Sequence, residues 1–131
     1  MYKDILKPTP ERIARAKYGL DISDILDEVR DWNYKELIPS IPSVLKNKNW
    51  VVRCDILDII GHYKLSEFLD LVKKTLHDRI IVVRGYALQA YYEMQREKTL
   101  PMIRKFCKEK DIRLRLSGLT LLLLKPEMKR L

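Results

Sequence analysis

The chain has 131 residues, 47% of them apolar and 34% charged, with a formal net charge of +8. That length can bury one core without disulfides or metals, leaves no room for a second domain, and the supply of Leu, Ile and Val excludes an intrinsically disordered chain. Two cysteines far apart, without CxxC spacing, and four scattered glycines, without a GxGxxG or GxxxxGK loop, give no support to a disulfide framework, a metal site or a nucleotide site, so no cofactor is expected.

Met1-Tyr2-Lys3-Asp4 opens no apolar core of signal-peptide length, and the longest apolar run, Leu121 to Leu124, is too short to span a bilayer. A cytoplasmic protein with reduced cysteines and no membrane contact is expected. Along the chain the apolar spacing is helical throughout. First comes a helix near 10–18, opened by Thr9 before Pro10, then one near 22–31 rich in aspartate. A third, near 34–45, starts with Asn33 and with Glu36 three residues on; Pro39 and Pro42 should kink or shorten it, because proline lacks an amide donor and clashes with the preceding turn. The fourth, near 50–62, carries Val52, Ile56, Ile59, Ile60 and Tyr63 at the i, i+3, i+4, i+7 spacing of an amphipathic helix. Helices near 65–76, 80–95, 100–109 and 112–124 follow. Asp78 stands before the sixth and Asp111 before the eighth, and Pro126 ends the last.

The helices fall into pairs because the sequence repeats. Trp50-Val51-Val52-Arg53 returns as Ile81-Val82-Val83-Arg84 and, more loosely, as Ile112-Arg113-Leu114-Arg115, so Arg53, Arg84 and Arg115 are each 31 residues apart. The same step aligns Leu57, Leu88 and Leu119; Ile60, Tyr91 and Leu122; and Ile56, Ala87 and Gly118, three columns expected to form one core face. It also places Trp50, Ile81 and Ile112 in one apolar column. A degenerate first unit has Ile22 where the arginine should be. The units run approximately over 10–31, 34–62, 65–95 and 99–124, with a tail at 125–131, within a single repeat domain.

Asp-x-x-x-Val-Val-Arg, best represented by Asp78 through Arg84 and followed by Leu88, resembles the short HEAT-like repeats of phycobilin-lyase-type proteins and of many bacterial adaptors. The resemblance covers roughly residues 20 to 124. It implies an all-α fold, a right-handed α-solenoid of about four helical hairpins, in which the second helix of each pair lines the concave binding face. It implies little about function, because such solenoids serve unrelated roles. In this fold the arginines stay inside the solenoid, bonded to helix-end carbonyls or a neighbouring aspartate, so Arg53, Arg84 and Arg115 form a structural ladder rather than a phosphate track.

Charge is distributed unevenly between the two sets of helices. Residues 20–31 hold Asp21, Asp24, Asp27, Glu28 and Asp31 against Arg30 alone, whereas the first helices and the termini hold the excess of lysine and arginine. Stacked at the repeat period, Asp24, Asp55, Tyr86 and Ser117 form one polar column; Asp27, Asp58, Gln89 and Thr120 a second; Asp31, His62, Glu93 and Leu124 a third. These columns predict an acidic groove that becomes neutral and tyrosine-bearing. The expected partner-binding residues are Asp24, Asp27, Asp31, Asp55, Asp58, His62, Tyr86, Gln89 and Glu93, with Tyr86 as an anchor and a basic protein as partner. An immunity protein against a nuclease toxin, an adaptor or a chaperone would each fit.

Two other classes of function compete with this one. Lys73, Lys74, Arg104, Lys105, Lys108 and Lys110 could touch nucleic-acid phosphates from the convex side, although such a face usually serves solubility. His62 could share a helix face with Asp58 and Asp55 for metal or acid–base work, but no HExxH or paired His–Glu motif accompanies it, and a solvated histidine is the simpler reading. HEAT-like alkylpurine DNA glycosylases combine an aspartate with aromatic residues in a basic cleft. Here Trp50, Tyr86, Asp55 and Asp58 would sit in an acidic one, so no enzyme is expected. Finally, Leu119 and Leu121 to Leu124 exceed what one helix face can bury, and predict an interface, either a homodimer or a partner contact, centred on Leu121 and Leu123.

Overall fold

The computed structural model describes Lys35 and residues 37–125. The chain divides into two compact units, Met1–Ile59 and Ile60–Leu131. Every regular element among the described residues is helical, with no strand.

Among the described residues of the first unit, a 3-10 turn, Ile38–Ser40, runs into a four-residue helix, α1, Ile41–Val44. Pro39 and Pro42 each lie in the first turn of one of these short pieces, where the missing amide costs nothing, and over 38–44 the expected continuous helix is broken into these two. Asn47 and Asn49 then make the entry to α2, Trp50–His62: the Asn47 side-chain oxygen accepts from the Asn49 amide at 2.8 Å and that of Asn49 from the Val51 amide at 2.9 Å. Val52, Arg53, Cys54, Ile56, Leu57, Ile59 and Ile60 are all buried, so α2 is inside on nearly every side, leaving a narrow stripe that contains Asp55, Asp58 and His62.

The second unit opens on the end of α2. His62 closes it through a Schellman turn: the Leu65 amide donates to the Ile60 carbonyl at 3.0 Å and the Lys64 amide to that of Gly61 at 3.1 Å, with Lys64 at φ 52°. Buried Leu65 and Ile60 supply the apolar contact that accompanies this motif. After a 3-10 turn at Ser66–Phe68 come α3, Leu69–Thr75, and α4, Ile81–Gln95; a further turn at Arg96–Thr99 leads into α5, Leu100–Cys107, and then α6, Ile112–Leu124. Helix α3 packs on α4, α5 on α6, and α4 on α6.

Small residues set these distances. A Cβ on Gly85 of α4 would stand 2.7 Å from the Ser117 hydroxyl of α6, and one on Gly118 of α6 would stand 2.9 Å from both the Ile103 carbonyl oxygen and the Cys107 amide nitrogen of α5. Helix α5 is plainly amphipathic: Leu100, Ile103 and Phe106 are buried while Arg104 and Lys105 are exposed.

Several expected core positions differ from those observed. Tyr92 is wholly buried and Tyr91 only half-buried, a shift of one residue from the expected core position. The column of Trp50, Ile81 and Ile112 lies at the surface, with Trp50 and Ile112 exposed and Ile81 half-buried. Ile56, Ala87 and Gly118 are buried throughout, but Leu57 and Leu88 are covered while Leu119 is not.

Candidate functional site

The three arginines repeat in structure as they do in sequence. Arg53 donates from Nη1 to the Asn47 carbonyl at 2.7 Å and to that of Lys48 at 3.3 Å. Arg84 donates from Nε to the Asp78 carbonyl, and Arg115 from Nη1 to the carbonyls of Glu109 and Lys110, both at 3.3 Å. Each guanidinium thus reaches back six residues to the turn that precedes its own helix, tying the turn to the helix start. The turns themselves repeat too: Asp78 accepts from the Ile80 amide at 2.8 Å as Asn47 does from that of Asn49, and Asp111 accepts from the Arg113 amide at 2.8 Å as Asn49 does from that of Val51. All three guanidiniums donate to backbone carbonyls.

Arg53 is the most enclosed, 5% exposed. Replacing it with methionine keeps the apolar stem but removes the donor from two carbonyls in a part-buried turn, which should cost about 2 kcal/mol, the range for a hydrogen bond to a charged group. Urea denaturation of Arg53→Met beside Arg115→Met checks this. The half-exposed Arg115, with two long bonds, should cost under about 1 kcal/mol, and an equal loss at both positions would contradict the lock.

Of the predicted partner-binding residues, Asp24, Asp27 and Asp31 lie outside the described residues. In the first unit, Asp55 and Asp58 are half-exposed, three residues apart on one face of α2. In the second unit, His62 and Tyr86 are exposed, and Gln89 and Glu93 half-exposed. Ser117, Thr120 and Leu124, the remaining members of the three columns, are half-exposed or exposed as well. The polar columns are therefore solvent-facing on α2, α4 and α6.

Their charge is less free than the sequence implies. Glu93 accepts from the Gln89 amide at 2.9 Å and pairs with Arg96 at 3.3 Å and Lys125 at 3.9 Å. Arg96 and Lys125 also stand 5.2 and 5.5 Å from the centre of the buried Tyr92 ring. On α4 the column end is consequently a neutralised cluster. Ser117 and Thr120 return their hydroxyl protons to the Arg113 and Leu116 carbonyls, at 3.0 and 2.7 Å.

His62 meets Tyr63 edge-on, with ring centroids 4.7 Å apart, and among the described residues no group of three His, Cys, Asp or Glu could hold a metal ion. Cys54 is buried and Cys107 half-buried, burial pushing the Cys107 thiol above its ordinary range, away from the thiolate that a nucleophile needs. The Arg113 guanidinium, bonded to both oxygens of Asp111, holds that carboxyl below the usual aspartate range.

A cleft of about 330 Å³ lies within the second unit, with Leu76, Phe106 and Leu114 as an apolar floor and His77, Arg84, Lys105 and Glu109 at its rim. The cleft is not legible in the sequence, because its rim is assembled from α4, α5 and the turns that follow α3 and α5. Glu109 is the one carboxylate among the residues that line it. Lys73, Lys74, Arg104, Lys105, Lys108 and Lys110 are all exposed, on α3, α5 and the turn after α5.

No protein-family model matches the chain, and no solved structure does. Over 82 residues it is 27% identical to an uncharacterized protein of Methanocaldococcus jannaschii, a match covering 63% of this chain and 23% of that protein. The chain thus spans less than a quarter of the length of this relative. No described helix is long and apolar enough to cross a membrane.

Proposed function

We propose that the chain is a non-enzymatic, cytoplasmic protein-binding module, a HEAT-like right-handed α-solenoid of about four hairpins, that holds a basic segment of a partner protein in an acidic groove along its second helices. The observation that carries the repeat reading is the recurrence, every 31 residues, of one guanidinium-to-turn hydrogen bond at Arg53, Arg84 and Arg115. A solenoid built from such units offers the polar side of its second helices as an extended surface. Support for the acidic partner site comes from Asp55 and Asp58, half-exposed on α2, and, in the second unit, from the exposed ring of Tyr86, the type of side chain that anchors interfaces. Such a module would serve as an immunity protein or an adaptor.

A fluorescent arginine- and lysine-rich peptide and a short DNA duplex, titrated in parallel, test this reading. The peptide should bind, lose affinity as salt rises because opposed exposed charges are screened beyond about 8 Å at physiological ionic strength, and bind more weakly to Asp55→Asn with Asp58→Asn. The duplex should bind weakly. Tight duplex binding at physiological salt, lost on replacing Lys73, Lys74, Arg104 and Lys105 by glutamine, would instead assign the function to the basic face.

A further inference from the structure

Leu121, expected at an interface, is core, and the ground for a ligand lies elsewhere, beside the start of the same helix. There Leu114 of α6, Leu76 of the turn after α3 and Phe106 of α5 form the floor of the second unit's cleft, and half-exposed Met102 adds apolar wall. At about 330 Å³ the cleft stands at the lower end of the range for small-molecule sites. It has room for roughly ten non-hydrogen atoms, at about 30 Å³ for a water-sized group. That is enough for a small molecule and too little for a helix or strand of a partner.

Arg84 sets this cleft apart from the same place in the other repeats. Arg53 and Arg115 use Nη1 to reach two carbonyls of their turns, whereas Arg84 reaches the Asp78 carbonyl through Nε. Its two Nη groups make no hydrogen bond or ion pair among the described residues, and Arg84, half-buried, lines the cleft. A guanidinium held through Nε keeps its Nη1–Nη2 edge, whose N–H groups can donate two parallel bonds to one carboxylate. Lys105 and Glu109 stand at the rim four residues apart, and neither forms an ion pair among the described residues. With His77 counted neutral, two cations and one carboxylate leave a single positive charge over an apolar floor. That balance suits one negative charge carried on an apolar body, and suits neither a bare phosphate nor a cation.

We propose that the cleft binds a small free monocarboxylate with a compact apolar body, its carboxylate on the Nη groups of Arg84 and its body over Leu76, Phe106 and Leu114. Lys105 adds attraction for the anion, and Glu109 limits the charge the site accepts. This inference does not rest on the acidic groove, since it involves neither Asp55 and Asp58 nor Tyr86, and the basic-peptide titration is unaffected by its outcome.

Phenylacetate has this size and charge; phenylacetamide keeps the shape without the charge, and inorganic phosphate has charge without the body. Each is titrated into the 15N-labelled full chain up to about 20 mM, a range that covers the weak affinity of so small a ligand. Phenylacetate should move the amide resonances of His77, Arg84, Phe106 and Glu109 along one saturating curve. Phenylacetamide should bind about tenfold more weakly, having lost the charged hydrogen bonds, and phosphate should not saturate. Arg84→Lys, which keeps the charge but not the fork, should weaken phenylacetate by about tenfold. Because that change also removes the Nε bond to the turn, two rim variants test the site without it. Lys105→Glu should weaken phenylacetate and Glu109→Gln tighten it, each by about threefold, with phenylacetamide unmoved by either. Shifts spread over Lys73, Lys74 and Lys108 instead of the cleft, equal binding of phenylacetamide, or rim variants without opposite effects would overturn the proposal. So would a peptide ending in phenylalanine that bound about tenfold tighter than phenylacetate, which would assign the cleft to a chain end.

Discussion

Replacing Tyr92 by alanine is expected to lower stability by about 3–5 kcal/mol, the range for removing a large aromatic side chain from a core. The ring is wholly buried in α4, so its loss removes apolar contacts on every side and leaves a void that helices held at close approach cannot readily collapse. Two cations above the ring, Arg96 and Lys125, would lose their cation–π contacts as well. Tyr92→Phe separates the ring from its hydroxyl. This variant keeps the buried ring and loses the bond that the hydroxyl accepts from Arg96 Nη1 at 3.4 Å, so it should cost well below the alanine variant, on the order of 1 kcal/mol. Urea midpoints for the two variants, read with the transition slope, test the assignment; a large loss in Tyr92→Phe would show that the hydroxyl carries more than its distance suggests.

Valine at Gly118 is the second large effect, about 3 kcal/mol of destabilisation, towards the upper end for overpacking. Ordinarily a mid-helix glycine-to-alanine change stabilises by about 1 kcal/mol, because glycine loses more backbone freedom on folding. Here the added carbon would meet an amide nitrogen and a carbonyl oxygen of α5 at 2.9 Å, and backbone cannot swing aside as a side-chain tip can. Gly118→Ala should therefore already destabilise, and Gly118→Val more. The nearby Cys107 Sγ, 3.0 Å from the same position, offers a control: Cys107→Ala should rescue neither variant, since the backbone contacts remain. A thermal melt in which Gly118→Ala raises Tm would mean that α5 and α6 stand further apart than described.

Local chemistry legible in the sequence extended to the helix bounds and the repeat. The helices read at 50–62 and 112–124 occur as Trp50–His62 and Ile112–Leu124, because Asn49 and Asp111 place side-chain acceptors just before the apolar spacing begins. The two prolines shortened their segment for an equally local reason. The 31-residue spacing of Arg53, Arg84 and Arg115 already implied one repeated role, since each must meet the same turn at the same distance along the chain. Solvent exposure of the columns through Asp55, Tyr86 and Ser117 followed from the polar residues among them, which have few ways to be buried.

What only the tertiary structure decided is which apolar residues are inside. Leu88 and Leu119 have the same residue type, the same place in the repeat and the same local spacing, yet one is buried and the other exposed. A leucine needs a covering element, and sequence spacing specifies the face of a helix without specifying what lies across it. For α6, Leu114 with Leu121 and Leu116 with Leu123 are two equally apolar stripes, so no pattern within the helix could choose between them. Packing against α4 and α5 chose the first. Tyr91 and Tyr92 pose the same problem at the scale of one residue: they are chemically identical and about 100° apart around the helix. The neutral cluster at Glu93 was likewise invisible, because Lys125 lies 32 positions away in sequence and only the packing of α4 on α6 brings its ammonium to that carboxylate.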